Sequence, residues 1–409
     1  MLRFRTLAVL FTMAVFAVGC DSPKAEFHLD RVFLHKTFGE PESREEADSL
    51  RNQAQNLKEV MVGLFGNPDE PHVPQLADLE TSTVLDVGMI EMAAGRVASD
   101  ETGRGRGLYR EHCAHCHGVS GDGAGPTAAF LNPYPRDFRM GKFKFKSTPL
   151  GVKPTHDDLR KTIIDGIPDT AMPSFRLLDD DEVDSLVHYV RYLAIRGEVE
   201  RRLVLEVMTE LDTGDLILDP EDRTNALVEE NLELVKGAVA TVIGQWANAA
   251  AQVTEIPAPP DQWDSHDSVQ RGRDLFFGSV ANCVKCHGQL ALGDGETGDF
   301  DDWIKEIDEK DPASKAPDFL ALGVVEPRLL DPRPIRPRNL RTGVFRGGRR
   351  PVDLYLRIKN GIEGTPMPAA PASGLNEDDI WSIVAYVRSL PQEPISRPEV
   401  QVEYTRERL

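Results

Sequence analysis

EHCAHCHG, Glu111–Gly118, has a counterpart in ANCVKCHG, Ala281–Gly288. The chain of 409 residues has five cysteines, and four of them stand in these two Cys-x-x-Cys-His stretches. On one helical turn, positions i, i+3 and i+4 share a face. Cys113, Cys116 and His117 therefore point one way, and Cys283, Cys286 and His287 do the same.

Two thiols one turn apart can form thioether bonds to the two vinyl groups of a haem, with the adjacent imidazole standing over the iron; this is the attachment pattern of haem c. Other uses of such cysteines fit less well. A four-cysteine zinc site usually separates its pairs by roughly 15–20 residues, whereas Cys116 and Cys283 fall in different halves of the chain. A thioredoxin-like dithiol needs a βαβ setting, and the flanking patterns read as helical. Disulfides suit an exported protein but give no reason for a histidine after each pair. The expectation is two haem c groups, with His117 and His287 on the irons.

Working outward, both motifs lie inside a repeat, 101–200 and 263–396. Each copy is expected to open with a short amphipathic helix, GRGLYREHCAHCHG (Gly105–Gly118) and GRDLFFGSVANCVKCHG (Gly272–Gly288). A Pro-Arg step follows, PRDF (Pro135–Phe138) and PRNL (Pro337–Leu340). Then come a helix ending in glycine, Asp158–Gly166 and Asp353–Gly361, and a Met-Pro loop, IPDTAMP (Ile167–Pro173) and IEGTPMP (Ile362–Pro368). Each copy closes with a strong helix in which Val183, Leu186, Val187 and Val190 match Ile380, Ile383, Val384 and Val387.

A second axial ligand can be sought by elimination. After His287 there is no histidine and one methionine, Met367, so the downstream choices for the second iron are Met367, a lysine or an open site. Met172 holds the matching place in the first copy, with Met140, His156 and His188 as rivals. A lone loop methionine is more often gap filler, but two at one repeat position, both before proline, read as ligands. A His/Met pair raises the reduction potential of haem iron, which suits electron transfer and leaves little room for substrate.

The flanks are legible more coarsely. Arg3 and Arg5 precede an apolar run, Leu7–Gly19, too short to span a bilayer comfortably. The run ends in AVGC and resembles a bacterial lipoprotein signal, which implies lipidation at Cys20; an ordinary signal peptide with an incidental Cys20 is the alternative. The expected domains are a signal peptide, 1–19; a helical N-terminal region, 20–100; the two repeat domains; an acidic helical linker, 201–262; and a tail, 397–409. Leu50, Ala54, Leu57, Met61 and Leu64 form one helical stripe, and Val228, Leu232, Val235, Val239, Val242, Trp246, Ala249 and Val253 another. These two helices are expected to pack together. The formal charge of −20 argues against a nucleic-acid binder, which needs a basic face. Basic residues nonetheless gather in Tyr134–Lys146 and Arg328–Arg350; they either neutralise haem carboxylates or form a docking rim for acidic redox partners.

With these residues in place, the chain resembles a dihaem cytochrome c with two class I cytochrome c domains, over a little more than half its length. The resemblance implies an all-α fold, the two domains being joined and preceded by helical segments. It implies that Arg136 and Arg338 contact haem propionates, and that Gly105 packs near Tyr189 and Gly272 near Tyr386. The expected function is electron relay, without enzymatic activity, on the periplasmic side of the cytoplasmic membrane. The expected partners are a quinol-oxidising complex and a terminal oxidase or reductase, with the membrane reached through a lipid anchor. The alternatives are a dihaem peroxidase-type enzyme, a haem-bearing subunit of a larger respiratory complex, and a haem-bearing sensor or anchoring module.

Overall fold

The computed structural model describes residues 24–39, 41–75, 81–99, 105–212, 215–218, 226–296, 298–303, 330, 333–370 and 374–396. The signal segment, Cys20, the tail from 397 onward and the insert from 304 to 329 lie outside the described residues. Helices dominate, as expected of an all-α class; among the described residues the strands form one two-stranded sheet. Among the described residues no helix is long and apolar enough to cross a membrane.

The N-terminal region supplies α1 (Arg31–Phe38) and α2 (Arg44–Phe65). The Ser43 hydroxyl caps α2 by accepting from the Glu46 amide. Leu50, Leu57 and Met61 of the expected stripe are buried, and so are Gln53 and Asn56 between them. Burying an amide costs free energy unless it is hydrogen-bonded. Gln53 donates to the carbonyls of Asp212 and Asp215, and Asn56 to that of Leu218. The N-terminal helix is thus tied to the chain that follows the first repeat.

That repeat ends in a 31-residue helix, α7 (Asp180–Glu210), which follows α3 (Val87–Ala93), α4 (Leu108–His112), α5 (Ala114–His117) and α6 (His156–Asp165). Both α2 and α8 (Ala226–Ala247) pack on α7. Val199, Leu203 and Val204 of α7 share one core with Leu57 and Met61 before it and Val239 and Val242 after it. The expected meeting of the two flanking helices is therefore made through α7. The second repeat has its own core around Phe276, Tyr355, Trp381 and Val384. It consists of α9 (His266–Phe277), α10 (Val284–His287), α11 (Pro351–Asn360) and α12 (Glu377–Ser389).

In both closing helices the four matched apolar positions are buried. Gly272 of α9 lies against α12 so closely that a Cβ would fall 1.9 Å from the Ser382 carbonyl oxygen, beside Tyr386. The first repeat departs from this expectation. Gly105 is in a strand, β2 (Gly105–Arg106), paired with β1 (Ala98–Ser99), and the helix that crosses α7 is α3. Gly107 causes the break: it holds φ +72° where a Cβ would strike the Arg96 backbone, so α4 starts only at Leu108. Tyr109 still reaches Tyr189, with ring centroids 4.8 Å apart.

Candidate functional site

Each Cys-x-x-Cys-His stretch forms one short helical turn, α5 and α10, which ends at a glycine of positive φ, Gly118 and Gly288. The chain then doubles back. Gly123 donates to the His117 carbonyl and Gly293 to that of His287. Neither glycine has room for a Cβ, which would come within 2.7 Å of the Pro135 oxygen and 2.3 Å of the Pro337 oxygen. This close approach brings each Pro-Arg step beside the histidine.

His117 Nδ1 lies 2.9 Å from the Arg136 carbonyl oxygen, and His287 Nδ1 lies 3.2 Å from that of Arg338. A carbonyl only accepts, so Nδ1 carries the proton and Nε2 keeps its lone pair for a metal. Burial lowers the pKa of both imidazoles, that of His117 to about 4, which favours the neutral ligand form. The cysteines behave otherwise. Burial, with a smaller contribution from Cys116, raises Cys113 to about 12, and burial raises Cys283 to about 11. Such thiols lack the depressed pKa of a redox-active dithiol.

The two Met-Pro loops share one scaffold. The Thr170 hydroxyl donates to the Ile167 carbonyl and accepts from the Met172 amide at 3.1 Å. The Thr365 hydroxyl donates to the Ile362 carbonyl and accepts from the Met367 amide at 3.2 Å. The Ile167 amide donates to the Met172 carbonyl, and the Ile362 amide to the Met367 carbonyl. Asp169 and Gly364, at matched positions, both turn through positive φ.

All these groups face one cavity of about 1750 Å³ shared by the two repeats. It is lined by Cys113, Cys116, His117, Met172 and Arg136 from the first, and by Cys283, Cys286, His287, Met367 and Arg338 from the second. Pockets for one small ligand run roughly 300–1,000 Å³, so this space suits more than one bulky group. The Nε atoms of Arg338, Arg346 and Arg357 are buried on its wall without a hydrogen-bond partner. Arg136, brought down to about 10 by burial, stacks its guanidinium on Trp303. Paired thiols, a neutral imidazole, a thioether loop and underused guanidinium groups fit a haem with its carboxylates.

Of the rivals to Met172, His156 and His188 lie off the cavity. His156 stands 3.3 Å from Asp184, and His188 Nδ1 accepts from the Asp86 amide. Met140 does line the cavity. Sequence reasoning missed the segment from His28 to Val32, which lines the cavity and is fastened by the His28 amide to Ser120 Oγ. No repeat partner marks that segment, so no pattern could flag it.

Among the described residues, several cations of the basic stretches are engaged inside the molecule. Lys142 pairs with Asp302, Lys144 with Asp301 and Lys146 with Glu363, all across the junction of the repeats. Arg338 and Arg346 pair with Asp169, and Arg333 donates to the Ala129 and Leu131 carbonyls. These contacts run between the two repeats.

The cytochrome c family model matches residues 103–194 and 269–391. Among solved structures, the reducing HAO-like protein complex of Kuenenia stuttgartiensis is similar at 24% identity, over 72% of this chain and 99% of that chain, with a TM-score of 0.46. No curated protein matches the chain.

Proposed function

The chain belongs to the cytochrome c family, and on that premise we propose that it is an electron carrier with two covalently bound haems c, relaying charge between respiratory partners at the outer face of a cytoplasmic membrane. Cys113 and Cys116 hold one haem, and Cys283 and Cys286 the other. His117 and Met172 would hold the first iron, and His287 and Met367 the second. Arg136 and Arg338 face the propionates. A bound haem c supplies one-electron exchange at its iron.

The chain's own residues set the terms of that exchange. The carbonyls of Arg136 and Arg338 fix which histidine nitrogen is free. The thioether sulfur, a soft ligand, favours the reduced metal. A methionine presented from each threonine-pinned loop would close its site, which would favour electron transfer over substrate chemistry. The observation that carries the reading is this duplicated construction around one cavity. The donor is a quinol-oxidising complex and the acceptor a terminal oxidase or reductase, with the chain held to the membrane by lipid on Cys20.

The test is expression in a host able to mature such proteins. The purified chain should show the mass of two attached haems and a methionine-ligated spectrum at both irons. Cys20→Ala should move the protein from the membrane to the soluble exported fraction. A colourless product, or one haem only, would refute the dihaem reading; an unchanged membrane fraction for C20A would refute the anchor.

A further inference from the structure

Each Pro-Arg arginine is engaged by the other repeat. Arg338 donates to the Asp169 carboxylate, which lies three residues before Met172 in the first repeat's axial loop. Arg346 donates to the same residue, to its carbonyl at 3.1 Å and its carboxylate at 3.3 Å. In the opposite direction, the Trp303 ring lies under Arg136 at 3.2 Å, and its Nε1 donates to the Asp137 carbonyl. The same indole rests on Gly364, three residues before Met367, where a Cβ would fall 2.4 Å from the ring. Asp169 and Gly364 hold the same position in their loops. One inter-repeat contact is a carboxylate and the other a ring, and both join an axial loop to the partner repeat's arginine.

The residue at the first loop is itself informative. Asp169 takes φ +60°, a conformation in which the second repeat uses glycine. Left-handed backbone is uncommon outside glycine, though aspartate tolerates it better than most residues. The ion pair is half exposed, and such pairs add little to stability. A carboxylate at this strained place is better explained by what it does to two arginines than by the energy of the contact.

We propose that Asp169 and Trp303 are positioning residues that couple the two redox sites, each by holding the arginine at the other repeat's carboxylate edge to an axial methionine loop. The inference rests on the dihaem reading given above. It makes the midpoint potential of each iron depend on a residue outside its own repeat. Asp169 offsets the Arg338 charge, so its loss leaves more positive charge beside the second iron and disfavours the oxidised form there. Trp303 covers Arg136, so its loss admits water at the first site, which favours the more charged oxidised iron.

The experiment is a spectroelectrochemical titration of the holoprotein, each midpoint being assigned by its displacement in Met172→Ala or Met367→Ala. Asp169→Asn should raise the second midpoint while both haems and the methionine-ligated spectra are retained. In an Arg338→Gln background that rise should shrink or vanish, since the carboxylate acts through the arginine. An unmoved second midpoint, or an equal rise in both backgrounds, overturns the proposal. If D169N fails to mature, Trp303→Leu serves: it should lower the first midpoint, and a shift confined to the second would sink the idea. A wild-type chain without two haems refutes the underlying reading instead, and is seen before any variant is made.

Discussion

In the second repeat a single helix, His266–Phe277, crosses the closing helix and leads towards the cysteines. In the first repeat the crossing is made by Val87–Ala93, and a strand pair and the left-handed Gly107 stand between it and the cysteines. The parts that face the cavity do not follow this difference. The histidine-to-carbonyl bond, the returning glycine and the threonine-pinned loop recur in both copies. The lesson is that the stretch from the histidine to the methionine loop is built alike in both copies, while the entering helix is packing support that a different segment can supply.

Substitutions can break that comparison. The largest effect is expected at Gly272→Ala, whose new methyl meets the Ser382 backbone. Overpacking costs about 1–3 kcal/mol and at times more, and a backbone neighbour cannot swing aside. Gly105 lies in a short strand, where a glycine is about 0.5–1 kcal/mol less stable than alanine, so Gly105→Ala is expected to cost nothing. Denaturant midpoints followed at the haem bands would compare the two; equal losses would mean that the two entering segments do the same job. Next are the two loop methionines. Met367→Ala should abolish the methionine-ligated spectrum of the second iron outright, because no other methionine or histidine follows His287. Met172→Ala leaves Met140 on the cavity wall, so full loss at the first iron is expected only when Met140 is replaced as well. Visible and near-infrared spectra of the single and double variants decide this.

The smallest effect concerns His188, which Ala385 replaces in the second repeat. Burial, helped by Arg191 and His156, lowers its pKa from 6.5 to about 4. Between those values the unfolded chain takes up a proton that the folded chain refuses, so stability falls as the pH drops from about 6.5 to 4. Protonation would also remove the acceptor that His188 Nδ1 offers to the Asp86 amide at the start of α3. His188→Gln should flatten this slope, as read from urea midpoints at pH 7 and pH 5; an unchanged slope would assign the acid sensitivity elsewhere.

Much of the site was legible in the sequence because it is local and written twice. Cys-x-x-Cys-His, the Pro-Arg step and the Met-Pro loop each carry their geometry within a few residues, and the matched apolar positions of the closing helices needed only period counting. The entering helix of the first repeat misled because GRGLYREH shares its spacing with GRDLFFG. The alternating Gly103, Gly105 and Gly107 were the available sign that a helix would not form there. The pairing of Arg338 with Asp169 and of Arg136 with Trp303 was not legible. Contacts between repeats depend on how two finished units dock, and nothing in the spacing of basic residues tells an internal seam from an external rim.

The long helix α7 has a practical consequence for anyone dissecting the molecule. Its first half closes the haem-facing bundle, and its second half carries Val199, Leu203 and Val207 into contact with segments from both flanks. A fragment cut at residue 200 would end in mid-helix with an oily stump, and would be expected to clump rather than yield a usable one-haem protein. The smallest piece worth making on that side begins near residue 24 and runs past Trp246.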